Sequence, residues 1–206
     1  MTEDKNNKLN EFNAIKEQLE TEGYTAKNCT VSMSKANLLA LLTIPPCIVL
    51  IISWCMRWNI IFSLTGLIDF YHSLSLSTLF LMLIALVGII VVHEFLHGIS
   101  WFVLCRDRWK SIRFGIAWKT LTPYCHCKEP LHFIGYLIGV TMPLLVLGIL
   151  PFIVAMYINS VWLIIFSIFN ITAAGGDIII IFMLLKHRKA LIIDHPTECG
   201  FVAFEK

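Results

Sequence analysis

The chain has 206 residues, of which 57% are hydrophobic, and its mean hydropathy is +0.76. That hydropathy is too high for an ordinary soluble domain and indicates a membrane protein. The net charge of +2 comes without a basic stripe of interleaved aromatic residues, so nothing indicates nucleic-acid binding, and seven cysteines without a framework spacing argue against a disulfide scaffold.

The first segment, residues 1–35, is polar and holds many of the charges. Its start, Met-Thr-Glu-Asp, lacks the basic and apolar stretches of a removable signal peptide. Between its charges, Leu9, Phe12, Ile15 and Leu19 recur at helical spacing. This pattern predicts a short amphipathic helix that lies on the membrane surface or against the body of the protein, with a frayed tail as the alternative.

Four apolar stretches are long enough to cross a bilayer, which takes about 20 helical residues. They are residues 36–56, 76–105, 133–157 and 161–185. Pro45 and Pro46 should kink the first stretch, and Pro143 and Pro151 interrupt the third, as transmembrane helices tolerate. Residues 59–71 are apolar but short, which predicts an interfacial or re-entrant segment rather than a fifth span.

Basic residues orient this four-span arrangement. Fifteen of the sixteen Lys and Arg residues lie on one side, in the first 35 residues, the 106–129 connection and the C-terminal tail, whereas Arg57 lies on the other. Because basic loops stay in the cytoplasm, both termini are predicted to be cytoplasmic in a multi-pass protein of the cell membrane. The predicted fold is an all-α integral membrane helical bundle of about four transmembrane helices, residues 36–185, followed by a cytoplasmic tail, residues 186–206.

The second span carries a polar cluster, His93-Glu94-Phe95-Leu96-His97. Such groups at bilayer depth cost roughly 2.5 to 3.5 kcal/mol each, so a function should hold them there. Helical residues four apart share a face, so both imidazoles can reach one ion, while Glu94 lies beside it where a general base is needed. Zinc suits imidazole and carboxylate ligands. A His/Glu cluster that only hydrogen-bonds between helices is the alternative.

Asp177, in the stretch AAGGDIIII, is the best candidate for a third metal ligand. It lies 16 residues into its span and His93 lies 17 residues into its own, both counted from the same side. At a rise of ~1.5 Å per residue, the two are within one helical turn of depth. Gly175 and Gly176 allow close helix approach or a local break before the carboxylate. A proton-relay carboxylate or an interhelical hydrogen bond is the alternative.

These motifs resemble those of a known class of enzymes. HEFLHG in a membrane span, a strand-like loop and a later Gly-Gly-Asp are similar to the site-2 protease class of intramembrane metalloproteases. They are more similar still to the zincin peptidase family of small bacterial integral membrane proteins. The resemblance implies that His93, His97 and Asp177 bind Zn²⁺ and that Glu94 is catalytic. The site-2 class has an Asn-Pro segment near its aspartate, whereas NITAAGGD here has no proline, so the substrate-unwinding role of that segment is not carried over.

The connection between the second and third spans has two parts. Residues 110–119 alternate apolar and polar side chains, which predicts a small β hairpin or strand at the cytoplasmic face. Its edge could hold an extended peptide, or the hairpin could merely cover the bundle. Cys125, His126 and Cys127 suit metal, but an extended segment turns His126 away from both cysteines. A second metal site, an inhibitory zinc ligand and a polar turn are the alternatives, and His195 is a further alternative zinc ligand.

The sequence therefore predicts a zinc-dependent metalloendopeptidase, with residues 36–185 as its membrane metalloprotease domain, that cuts within or close to the membrane. Glu94 would pass a proton from water to the leaving amine. Expected partners are a peptide or membrane-protein substrate and the lipid bilayer, without nucleic acid. An ion- or metal-coupled transporter is one alternative, which the short chain without repeats disfavours. A non-catalytic metal-binding scaffold is another. The sequence indicates neither the substrate nor the oligomeric state.

Overall fold

The structure, a computed structural model, describes residues 2–59, 75–118 and 122–206. The helices are α1 (Thr2–Thr21), α2 (Met33–Ala40), α3 (Ile44–Trp58), α4 (Leu76–Leu104), α5 (Phe133–Pro143), α6 (Leu150–Ile158), α7 (Val161–Ala173) and α8 (Gly175–Leu184). The strands are β1 (Thr25–Val31), β2 (Ile112–Ala117), β3 (Thr122–Cys127), β4 (Leu131–His132), β5 (Leu191–Asp194) and β6 (Cys199–Glu205).

Three helical stretches of the described chain are long and apolar enough to cross a membrane. They are Ser34–Trp58, Leu76–Leu104 and Phe133–Ile158. The fourth predicted span is instead two helices, α7 and α8, that bend by 50° at Ala174. The mostly helical character is confirmed, and the local break expected at the Gly-Gly pair is present. The short apolar stretch 59–71 lies outside the described residues except for Asn59.

Proline shapes the first and third spans differently. Pro45 and Pro46 fall in the first turn of α3, where a missing N–H costs nothing, and the short 3₁₀ turn Leu41–Thr43 joins α2 to α3. In the third span, the π-helical turn Leu144–Ile149 follows Pro143 and joins α5 to α6. Ser167 of α7 donates a 2.7 Å hydrogen bond to the Gly148 carbonyl within that turn, which satisfies a buried backbone group.

The predicted strand in residues 110–119 is confirmed as β2, which pairs antiparallel with β3. Ile112 lies opposite Cys127, and Ala117 lies opposite Thr122. The hairpin packs directly on α4, because a Cβ at Gly98 would run into the Phe114 ring. Since Gly98 immediately follows His97, the hairpin lies next to the polar cluster of α4.

The expectation of an all-α bundle with only a hairpin was incomplete. β1, β6, β5 and β4 form a second, four-stranded antiparallel sheet in that order, which joins the N-terminal segment to the C-terminal tail. In β6, consecutive residues 201–204 are all buried, because α1 covers one face of the sheet through Leu19 and the apolar helices α4, α5 and α8 pack on the other. Strands buried on both faces lack the alternation that reveals a strand in sequence.

Candidate metal centre

Two histidines and one carboxylate converge where α4 meets α8. His93 and His97 lie one turn apart on α4, with ring centroids 5.1 Å apart in an edge-to-face arrangement. His93 Nε2 lies 3.1 Å from Asp177 Oδ2, and His97 Nε2 lies 3.5 Å from Asp177 Oδ1. The ligand atoms of all three residues lie within 4.8 Å of one another. The structure thus brings together the three residues that the sequence predicted as ligands.

Contacts on the side of the His97 ring that faces away from Asp177 fix the orientation of this buried side chain. Its Nδ1 donates a 2.8 Å hydrogen bond to the Gly139 carbonyl of α5, which leaves Nε2 directed at Asp177. Trp101 stacks on the His97 ring with centroids 5.6 Å apart, and its Nε1 donates to the Tyr136 carbonyl. Residue 139 must be glycine for this packing, since a Cβ there would run into the Trp101 indole. Such backing fixes the tautomer of a histidine that binds metal.

The helix break positions Asp177. The carboxylate lies in the first turn of α8, where the positive end of the helix dipole stabilises negative charge. The break also lets α8 approach α2 closely, because a Cβ on Gly175 would lie 2.6 Å from Ala40 Cβ. Gly176, by contrast, has open space around its Cα. Of the two glycines, Gly175 is therefore the one that helix packing requires.

The donor set fits a zinc ion. Because His97 Nδ1 donates to Gly139, the neutral His97 ring presents only a lone pair at Nε2, and that lone pair faces a carboxylate oxygen. Two acceptors 3.5 Å apart repel each other unless a proton or a cation lies between them. In addition, Asp177 Oδ2 is buried and has no well-formed hydrogen bond to any residue that the structure describes. Two imidazoles and a carboxylate, with one position left open, match a catalytic zinc site.

Glu94 lies beside this group on the same helix. Its half-buried carboxylate accepts a hydrogen bond from the Cys125 backbone of β3 and interacts electrostatically with both histidines and with Asp177. The hairpin therefore holds the side chain that the sequence assigned as general base. A base needs this position, next to the ligands but not among them.

A cavity of about 530 Å³ lies against the cluster. Its helical side includes His93, Glu94, His97 and Asp177, and its other side is formed by β3 and by residues 195–198 between β5 and β6. This volume falls in the range of ligand-binding pockets, roughly 300–1,000 Å³. The cavity can therefore admit a segment of peptide beside the candidate metal ligands.

The other sequence-predicted donors lie elsewhere. Across residues 2–59, 75–118 and 122–206, the candidate ligand triad is the only group of three or more His, Cys, Asp or Glu donors close enough to share an ion. Cys127 is buried with its Sγ 3.5 Å from Cys105 Sγ. His195 lines the cavity, but its Nδ1 accepts the Glu198 N–H at 3.0 Å within its own loop. The structure thus shows no second metal site at residues 125–127 in the described chain, and it does not place His195 among the ligands.

Sequence reasoning missed a buried carboxylate on the other side of the cavity. Asp194 Oδ1 accepts a hydrogen bond from the Tyr136 hydroxyl, and Oδ2 accepts one from the Cys127 N–H at 2.6 Å. His126 Nδ1 lies 3.7 Å from Oδ2. Burial raises the pKa of Asp194 to about 6 and lowers the pKa of His126 to about 4. Near neutral pH, an ionised Asp194 therefore faces a neutral His126, and Asp194 ties β5 to β3 and α5.

The comparisons with known proteins point to one family. A family model described as "Putative zincin peptidase" matches residues 86–192, which is just over half of the chain. The matched region runs from the middle of α4 through the hairpin to β5, so it includes all four sequence-predicted site residues and ends just before Asp194. No curated protein and no solved structure gives a significant match.

Proposed function

Because the chain belongs to the zincin peptidase family, we propose that it is a zinc-dependent endopeptidase that cuts peptide bonds within the membrane or beside it. The observation that carries this proposal is the convergence of the His93, His97 and Asp177 ligand atoms within 4.8 Å, beside Glu94 and a cavity. His93 Nε2, His97 Nε2 and the Asp177 carboxylate would hold the ion. Zinc, when bound, acts as a Lewis acid toward a carbonyl oxygen and acidifies water.

Glu94 carries the proton transfers in this proposal. Its carboxylate accepts the proton of the attacking water and then delivers it to the nitrogen of the leaving amine. The hydrogen bond from the Cys125 backbone keeps the carboxylate beside the ligands rather than on them. The hydrogen bond from His97 Nδ1 to the Gly139 carbonyl and the stacking of Trp101 orient the ring, so that the neutral tautomer carries its lone pair at Nε2, which faces the metal position.

The membrane setting supports cleavage close to one face of the bilayer. His97 lies seven residues before the end of α4, Leu104, or about 10 Å at ~1.5 Å per residue. The pairing of β1 with β6 supports placing both termini on one side of the membrane, since these strands lie near opposite ends of the chain. Because most basic residues lie on that same side, we assign it to the cytoplasm in a multi-pass protein of the cell membrane.

An extended substrate could add to the hairpin at the edge of β3 that lines the cavity. The structure constrains this mode, because two N–H groups of β3 already have acceptors. The Cys125 N–H binds Glu94, and the Cys127 N–H binds Asp194. A substrate carbonyl that pairs with the Cys125 N–H would therefore have to replace the Glu94 carboxylate as its acceptor.

Metal analysis beside a cleavage assay tests the proposed function. Purified wild-type protein should hold about one zinc per chain. Glu94→Gln should keep that zinc, because Gln has nearly the same shape and Glu94 is not a ligand, while cleavage of membrane-protein substrates falls by about 100-fold or more. Glu22→Gln, in the exposed turn that follows α1, is the matched control and should cleave like wild type. Undiminished cleavage by Glu94→Gln, or wild-type protein without zinc, refutes the proposal.

A further inference from the structure

A second group of reactive side chains lies away from the metal cavity. Cys29 of β1 has its Sγ 3.2 Å from His187 Nε2, and His187 Nδ1 lies 2.6 Å from Glu205 Oε1 of β6. Lys27, two residues before the cysteine, binds the other carboxylate oxygen at 2.6 Å. None of these four residues lines the cavity beside the candidate metal ligands. We call Cys29, His187 and Glu205 the thiol cluster.

The hydrogen bonds of the thiol cluster run in one direction. The hydrogen bonds from Lys27 and then from His187 lower the pKa of Glu205, so its ionised carboxylate accepts the Nδ1–H of His187. His187 Nε2, 3.2 Å from the Cys29 Sγ, is then the nearer of two acceptors for the S–H, since the Lys27 carbonyl lies 3.7 Å away. Burial raises the pKa of the Cys29 thiol, so the sulfur becomes a nucleophile only when a base removes its proton. A thiol, a base and a carboxylate that orients the base form the arrangement that nucleophilic catalysis uses.

The surroundings of the thiol cluster indicate the class of electrophile. His187 follows the end of the apolar helix α8 by three residues, so the cluster lies where this helix leaves the hydrocarbon region. Its neighbours Lys186, Arg188 and Lys189 are exposed and basic, and the charges of Lys27 and Lys186 act on Cys29. An electrophile at this place should combine an apolar chain that can enter the bilayer with a carrier that bears phosphate groups.

We propose that Cys29 is an S-acylation site that takes a long-chain acyl group from acyl-coenzyme A. The Cys29 sulfur attacks the thioester carbonyl, a new sulfur–carbon bond forms, and the bond from that carbon to the coenzyme A sulfur breaks. His187 Nε2 accepts the thiol proton and passes it to the departing coenzyme A thiolate. The oxidation states do not change, so the step needs no oxidant or reductant. The acyl chain enters the bilayer beside α8.

The test is acylation of the purified full-length protein in detergent by palmitoyl-coenzyme A. Peptide mass spectrometry should find one thioester per chain, at Cys29, which hydroxylamine removes. His187→Gln should slow the reaction by about 100-fold, the lower end of general-base effects, and Glu205→Gln should slow it less. Cys29→Ser should abolish it. Cys199→Ser, on the neighbouring strand β6, is the matched control and should react like wild type.

Two outcomes overturn the proposal. One is a His187→Gln variant that binds zinc normally, and so is folded, yet acylates Cys29 at the wild-type rate. The other, which needs no variant, is wild-type protein that does not acylate Cys29 in preference to Cys199. Glu94→Gln should leave Cys29 acylation unchanged, so failure here is distinguishable from failure of the proposed peptidase function.

Discussion

The two walls of the cavity use their carboxylates in opposite ways. On the helical wall, the ligand atoms of Asp177, His93 and His97 lie within 4.8 Å of one another. The buried Oδ2 of Asp177 makes no well-formed hydrogen bond within the described chain. On the sheet wall, Asp194 is equally enclosed, but both oxygens accept hydrogen bonds, from the Tyr136 hydroxyl and the Cys127 N–H. The helical wall thus keeps acceptors for a cation, whereas the sheet wall satisfies its carboxylate internally and holds three elements together.

The largest expected effect comes from Asp177→Asn. The substitution removes one of the three protein ligands. Structural zinc sites bind the ion with a free energy of ~10–16 kcal/mol, and each of a few ligands contributes a large part of it. Zinc affinity should therefore fall about 1,000-fold or more. Metal analysis after dialysis against a graded chelator measures this change. Asp194→Asn is the control on the opposite wall and should keep its zinc. If the two variants and wild type retained zinc equally, Asp177 would not be a metal ligand and the two walls would not differ in this respect.

The pH dependence of stability tests the sheet wall. The pKa of Asp194 is raised to about 6, above the value of about 3.9 in unfolded chains, because the native state buries the charge. The native state therefore binds this proton more tightly, so its contribution to stability is fully present below about pH 4 and is lost as the pH rises through about 6. The difference of about two units between the folded and unfolded pKa values corresponds to about 3 kcal/mol in the free energy of unfolding.

Asp194→Asn should remove that decline, because the amide does not titrate. Other groups titrate in both proteins, and their contributions largely cancel. The free energy of unfolding of wild type minus that of the variant should therefore fall by about 3 kcal/mol between about pH 3 and pH 7. His126 has a pKa of about 4, so it is neutral over most of this range and contributes little to the difference. Denaturant unfolding in mixed micelles at several pH values measures the difference. A constant difference would show that Asp194 is not the buried, hydrogen-bonded group described above.

The helical wall could be predicted from the sequence, and the sheet wall could not, for a physical reason. His93 and His97 are four residues apart, so the helix alone brings them together. Asp177 lies almost as far into its own apolar stretch as His93 does, which predicts a matching depth. Asp194 instead meets partners 58 and 67 residues away. The strand β6 that pairs with the strand of Asp194 could not be recognised from the sequence, because its buried residues read FVAF without alternation of apolar and polar side chains.

A smaller effect should follow from Gly139→Ala. The new methyl group would run into the Trp101 indole, which stacks on His97, so the ring that faces the metal must shift. Zinc affinity should fall about 10- to 100-fold, as for other changes behind a ligand. Gly88→Ala on α4 is the matched control, since a Cβ there meets nothing within 4 Å. Competition with a chromogenic chelator gives both affinities, and equal values would mean that His97 does not depend on its backing.

The smallest effects separate the two glycines at the break before Asp177. In Gly175→Ala the new Cβ would lie 2.6 Å from Ala40 Cβ and 2.9 Å from Ala40 Cα, and backbone-anchored atoms cannot move aside cheaply. This substitution should destabilise the protein by about 1–3 kcal/mol. In Gly176→Ala the methyl group meets nothing within 4 Å, and alanine restricts the unfolded chain, so stability should rise by about 0.5–1 kcal/mol.

Thermal unfolding in detergent measures both signs. Opposite signs at adjacent positions would mean that close packing on Ala40, rather than helix flexibility, keeps the break where it directs Asp177 toward the histidines. If both substitutions destabilised equally, the break itself would require glycine at either position, and the helical wall would depend on local backbone freedom as much as on its packing.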